Sequence, residues 1–281
     1  MRFAISYQPA LHGVDPDLLT AYARHAEACG FEGLYLPEHV ALYPGARVGS
    51  FELPPSTPFL DPVDCLAFVA AATDRLLLGT GVLLLPYHHP VTLAKRLATV
   101  DVLSGGRLRL LTVGVGALPG EAAAVGVDFT TRGRRADEAI DVLRLLWSGG
   151  PVSHTGEFFA FEDLCSFPRP LADLPIHVGG SSMAAARRAG LRGDGYFAGG
   201  ALTPDERTRQ FDAARKAAAD AGRDPATLEY TRWGSIDMPV TAVESLAAQG
   251  VTRVVVNPAS ADPAEQRDQM SAFAERLGLL S

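Results

Sequence analysis

The sequence predicts an α/β fold closed into a (β/α)8 barrel of the TIM type. Three observations carry that expectation. Short apolar runs alternate with longer stretches of helical period along the whole 281 residues, which is how parallel strands joined by crossover helices read. About eight such units can be drawn, the number that closes a parallel sheet on itself. A chain of this length that is 47% hydrophobic can bury a large core, and barrels of this size run as one domain, here residues 1–281.

The expected strands are 2–7, 33–36, 76–82, 107–113, 175–178, 194–198, 228–236 and 251–256, each a short apolar run. The second must stop at Pro37, because proline has no N–H to give a ladder. Helical patterns fill 16–29, 61–73, 90–103, 134–147, 182–191, 204–221, 241–249 and 263–278. Asp61-Pro62 and Thr203-Pro204 are cap-plus-proline entries, and Gly30 and Gly250 follow the ends of their helices. Two insertions break the rhythm, at about 40–60 and 150–174; in the second, Ser153 to Phe161 reads as a hairpin turning at Thr155-Gly156. A doubly wound open sheet is the rival fold. Its glycine fingerprint fails on spacing, because Gly114-Val115-Gly116 runs on to Gly120 as G-x-G-x-x-x-G and does not open a first βαβ unit.

The formal charge is -7 with no basic run, which argues against a nucleic-acid footprint. Cys29, Cys65 and Cys165 are odd in number and far apart, so neither a disulfide framework nor a zinc site is expected. The amino terminus lacks the apolar core of a signal peptide and no run is long enough to span a membrane. A cytoplasmic protein acting on small molecules is the expectation. No H-E-x-x-H, G-x-S-x-G or Walker pattern occurs, so no metal is expected.

In a barrel the chemistry sits at the carboxyl ends of the strands. Glu38 and His39 follow the second strand, where a histidine can exchange protons near neutral pH beside a carboxylate; a solvated pair or a structural histidine would read the same. Three further strand ends are glycine-rich: Gly79 to Val82, Gly114 to Gly116, and Gly179-Gly180-Ser181-Ser182. Glycine lets a backbone come close to a ligand, so three such ends at one mouth suggest a large flat one, although turn chemistry explains each singly. The last leads directly into a helix, whose free N–H groups and two hydroxyls suit a phosphate as well as a simple cap. His12, His88, His89 and His177 are weaker candidates, and the run Arg132-Gly133-Arg134-Arg135 could draw an anion or merely open a helix.

Taken in order, "GFEGLYLPEHV", "RLLLGTGVLLLPYHHPVTLAKRLATVDVLSGGRL", "TVGVGALPGE", "GRRADEAIDVLRLLW" and "PIHVGGSSMAAARRAG" resemble the bacterial luciferase-like monooxygenase family, in particular its branch using the deazaflavin coenzyme F420. The resemblance runs to about residue 200. It implies a flavin-like ring across the mouth with its phosphate on the fifth-strand loop, Glu38 touching the coenzyme and His39 near the reacting carbon. It further implies a non-prolyl cis peptide at Gly81-Val82, and coenzyme contacts at Val115-Gly116, Gly179-Gly180, Ser182 and Met183. Tyr43 stands where the family's sugar-phosphate dehydrogenases place an aromatic residue. Ala117 stands where those enzymes have a catalytic glutamate, which argues against a glucose-6-phosphate substrate and for a wider, less polar pocket at Ala117 and Leu118, lined also by Val40, Leu42, Phe51, Leu53 and Phe59. The implied activity is hydride transfer between F420 and a small apolar substrate, in a homodimer. The alternatives are an FMN-dependent monooxygenase served by a flavin reductase, and a barrel that binds such a ligand without turnover. Lys95 and Lys216 are the only lysines, a composition associated with organisms that use F420.

Overall fold

The computed structural model describes residues 1–200 and 202–280. Its strands in chain order are β1 (Arg2–Ser6), β2 (Gly33–Leu36), β3 (Arg47–Val48), β4 (Phe51–Glu52), β5 (Leu77–Thr80), β6 (Leu83–Leu84) and β7 (Leu108–Leu110). There follow β8 (Thr112–Gly114), β9 (Val152–Thr155), β10 (Ala160–Leu164), β11 (His177–Gly180), β12 (Gly195–Ala198), β13 (Glu229–Trp233) and β14 (Arg253–Val256). The helices are α1 (Pro9–His12), α2 (Pro16–Ala28), α3 (Pro62–Ala72), α4 (Pro90–Leu103), α5 (Pro119–Ala124), α6 (Arg132–Trp147), α7 (Met183–Arg192), α8 (Pro204–Asp220), α9 (Val240–Ala248) and α10 (Pro263–Leu277).

The parallel pairings close into a ring. β1 lies between β14 and β2, β2 pairs β5 and β5 pairs β7. On the other side β14, β13, β12, β11 and β8 follow in turn. Only Leu111 separates β7 from β8, so these are two halves of one strand and the sheet has no open edge. β6 likewise continues β5 beyond Gly81-Val82, whose peptide bond is cis, and pairs Leu83 with Val113. The eight expected strands are therefore the eight staves, two of them interrupted.

Helix starts are chemically explicit. Asp15, Asp61 and Asp262 each accept two backbone N–H groups ahead of a proline in the first turn, and Thr203 with Glu206 forms a reciprocal capping box, satisfying donors that a helix start leaves unpaired. The two insertions hold antiparallel hairpins, β3 with β4 and β9 with β10; in the second, Gly156 donates to Phe159 O at 2.9 Å.

Side chains alternate across each stave. Ala4, Tyr35, Leu110, Phe197 and Val255, from five different strands, pack together inside the barrel, while the larger apolar cluster fills the layer between sheet and helices. The amino-terminal end of the barrel is closed by charge. Arg253, with a side chain 1% exposed, donates from Nε to Glu32 at 2.6 Å and from Nη1 to Glu229 at 2.7 Å, and Arg2 reaches the other oxygen of Glu229 at 2.7 Å. His177 opens β11 at this end, 3.5 Å from Glu229, so it is a core residue at the bottom of the barrel and not at the mouth. Among the described residues no helix is long and apolar enough to cross a membrane.

Candidate active site

A cavity of about 890 Å³ lies over the carboxyl ends of the strands. The expected residues Glu38, His39, Gly81, Val82, Val115, Gly116, Ala117, Gly179, Gly180, Ser181 and Ser182 all line it. Met183, half out in solvent, Tyr43 and Leu118 do not. Leu118 is buried beneath the start of α5, and the Tyr43 hydroxyl accepts the Gly120 N–H at 3.3 Å. Leu53, Phe59 and Val48 line one wall, whereas Val40 and Phe51 face solvent.

The glycine-rich ends have a local reason that spacing alone did not disclose. A Cβ on Gly114 would meet Val82 Cγ2 at 2.5 Å, and one on Gly179 would meet Val82 Cγ1 at 2.4 Å. These two glycines make room for the Val82 side chain, which fills the floor of the cavity. Gly116 makes room for the Tyr87 ring in the same way. Gly116 and Gly180 also have positive φ, 78° and 147°, a backbone conformation that suits glycine. Gly179→Ala is expected to cost roughly 1–3 kcal/mol of stability, the usual effect of overpacking a β-branched neighbour, read from denaturant midpoints. An unchanged midpoint would show that Val82 moves freely.

Glu38 and His39, adjacent in sequence, have separate partners. The Glu38 carboxylate is buried, accepting the Leu84 N–H and His88 Nε2 at 2.8 Å. It lines the cavity while both of its oxygens are engaged in this way. His39 Nδ1 lies 3.1 Å from Oε2 of Glu121, whose side chain is fully buried, and the imidazole stands edge-on to Phe59 with centroids 4.7 Å apart. The other oxygen of Glu121 accepts the N–H of Val40 at 2.5 Å and of Ala41 at 3.4 Å. A carboxylate can only accept here, so Nδ1 carries the proton and Nε2 is left to act at the cavity. This is the acid–histidine orientation found in proton-transfer sites.

The Ser182 hydroxyl caps α7 by accepting the Ala185 N–H at 3.1 Å, and Ser181 stands exposed beside it. Of the arginine run only Arg132 and the Gly133 backbone reach the cavity; Arg132 lies over the Phe129 ring and donates to Gly116 O at 3.2 Å. His12 is buried, accepts the Gln8 N–H at 3.0 Å, and is pushed down to about 4 by burial. His88 is held by Glu38 rather than solvated.

A family model described as luciferase-like monooxygenase matches residues 1–275. The chain belongs to that family. The F420-dependent hydroxymycolic acid dehydrogenase of Mycobacterium tuberculosis is 34% identical over 75% of this chain and 56% of its own. The 4-hydroxyprotoasukamycin monooxygenase of Streptomyces nodosus subsp. asukaensis is 33% identical over 73% of this chain and 53% of its own. The chain thus spans about half the length of these two relatives. An F420-dependent secondary alcohol dehydrogenase, solved with an F420–acetone adduct, superposes over all of both chains with a TM-score of 0.82 at 17% identity, a likeness of fold.

Within this luciferase-like barrel, Glu121 is the residue that motif reading passed over, and for His88, a weaker candidate, it gave no sign of the pairing with Glu38. Each lies in a quoted segment, but its partner is 82 or 50 positions away along the chain. A buried-looking acid two residues into a short Pro-Gly-led helix was the one signal available for Glu121.

Proposed function

We propose that this luciferase-like protein is an F420-dependent oxidoreductase acting on a small, fairly apolar organic substrate. The observation that carries the reading is the His39–Glu121 pair set against an apolar wall of Leu53, Phe59 and Ala117. The cavity fits a flat tricyclic coenzyme: Val82 with its two glycines gives a level floor, and the Gly180–Ser182 turn at the start of α7 offers N–H groups and hydroxyls to a phosphate. When bound, the deazaflavin would supply a hydride donor or acceptor.

The chain's own part is the proton. A carbonyl that gains a hydride at carbon needs a proton at oxygen, and His39 Nε2 is the group placed to give it; in the reverse direction the same nitrogen takes the proton of an alcohol. Glu121 compensates the imidazolium charge while it exists. Ala117, in place of a carboxylate, leaves the wall without a second acid and favours substrates lacking charge there.

An FMN-dependent monooxygenase is the second reading, favoured by the monooxygenase relative at 33% identity. The test mixes the protein with reduced F420 and a panel of enones, imines and ketones under strict exclusion of oxygen, following the coenzyme's visible absorbance. Oxidation of F420 with product formation is expected. Tight FMN binding with turnover only in oxygen would move the protein to the second reading.

A further inference from the structure

Along β13 the side chains alternate, with Thr231 and Trp233 turned into the barrel, where Trp233 meets Phe197 at 4.9 Å, and Tyr230 and Arg232 turned out beneath α8. Arg232 is 4% exposed, yet its Nε and Nη1 have no hydrogen-bond partner among the described residues. The Nε of Arg207, in the first turns of α8, is likewise buried and unpartnered. Arg207 lies three residues before Gln210 and so on the same helix face. Gln210 donates to Ser181 O at 2.9 Å and accepts the Tyr196 hydroxyl at 2.5 Å, which also reaches Gly180 O at 2.9 Å. Arg232 is registered opposite Ala198, two residues beyond Tyr196 on the same outer face.

We propose that Arg232 and Arg207 form an anion subsite between the barrel wall and α8, behind the Gly180–Ser181 turn, that takes a phosphate or carboxylate group. A guanidinium does not shed its proton in a protein, and a buried charge left without a partner is strongly unfavourable. The ionisable groups that bear on Arg232 are Arg207 and Tyr196. Burial first, and then the charge of Arg207, push Arg232 down to about 10. Tyr196 cannot supply the missing negative charge, because burial drives its hydroxyl well above the ordinary range. Two forked donors without a carboxylate suit an oxyanion, which accepts paired N–H bonds. Arg207 is only half-buried and belongs to the first turns of α8, at the mouth end, so the pair can be reached from there. The inference does not depend on which coenzyme occupies the mouth.

Thermal unfolding in inorganic phosphate, against chloride at matched ionic strength, tests it. The midpoint of the unaltered protein should rise by roughly 2–4 °C once phosphate exceeds its Kd a few-fold. Arg232→Met should abolish that rise and leave the chloride midpoint unchanged or higher, since it removes an unpaired charge. Arg207→Gln, at a half-exposed position, should weaken the response and serves if Arg232→Met does not fold. Saturating F420 or FMN assigns the occupant. Loss of the phosphate response would mean that an acidic group of the coenzyme fills the subsite; persistence would mean a free anion, and either outcome upholds the subsite. A protein indifferent to phosphate, or an Arg232→Met variant that is destabilised in chloride and still responds, overturns it.

Discussion

Replacing His39 by alanine is expected to lower turnover by about 10²–10⁴, the range that general acid–base help contributes, with little change in coenzyme affinity. Glu121→Gln is the sharper test. In the native site one oxygen of Glu121 is occupied by the N–H groups of Val40 and Ala41 and the other faces His39 Nδ1. A glutamine must keep its oxygen on the two backbone donors, so its NH₂ is turned to Nδ1. The imidazole then moves its proton to Nε2 and presents the wrong tautomer to substrate, with no carboxylate to stabilise the charged ring. A similar amide-for-acid change in the serine-protease triad costs about 10⁴. Glu121→Gln should therefore lose much of what His39→Ala loses while folding normally. Anaerobic steady-state rates and a coenzyme titration on each variant separate the two effects. Full turnover in His39→Ala would mean that protons travel by another route, and His88 would be next in line. His12 would not, since it is buried with its Nδ1 already engaged.

The elements of the fold were legible because each is a local matter. Strand length, proline entries and capping aspartates lie within a few residues of one another, and all eight expected helices are found with ends moved by about two residues at most. The mouth was legible for a related reason, since in a parallel barrel any residue just past a strand's carboxyl end must face it. What escaped were the pairings. Val82 seated on Gly114 and Gly179, Glu121 behind His39, and His88 on Glu38 join positions brought together only by barrel closure. The glycines show the difficulty best. Spacing made them a bed for a ligand, but Gly114 and Gly179 are first a bed for Val82. The charged plug of Arg2, Glu32, Glu229 and Arg253 was invisible for the same reason, its members being spread from one end of the chain to the other.

That plug makes stability acid-sensitive. His177, wholly buried against it, is lowered from 6.5 to about 4, by burial first; Glu229 acts in the opposite sense, and Arg253 reinforces the lowering. Below pH 6.5 the unfolded chain binds a proton at this histidine, and the folded chain refuses it until about pH 4. The unfolded state therefore holds more protons across that window, and stability falls as pH falls through it. A shift of this size is worth about 3 kcal/mol. Burial would raise the Glu229 carboxyl, but the charge and hydrogen bond of Arg253 hold it below its usual value. Its contribution is thus present at neutral pH and is lost last, when acid protonates it and leaves Arg253 short of a counter-charge. Denaturant midpoints measured from pH 7 to pH 4 should decline over most of the interval. In His177→Asn the decline should be shallower, with His12 supplying what remains, because that ring too is buried and lowered to about 4. A wild-type profile flat from pH 6.5 down to pH 4.5 would mean that His177 gains a proton in the folded state as readily as in the unfolded one, with Glu229 as its partner at 3.5 Å, and the plug would then be an ion pair that tightens in acid.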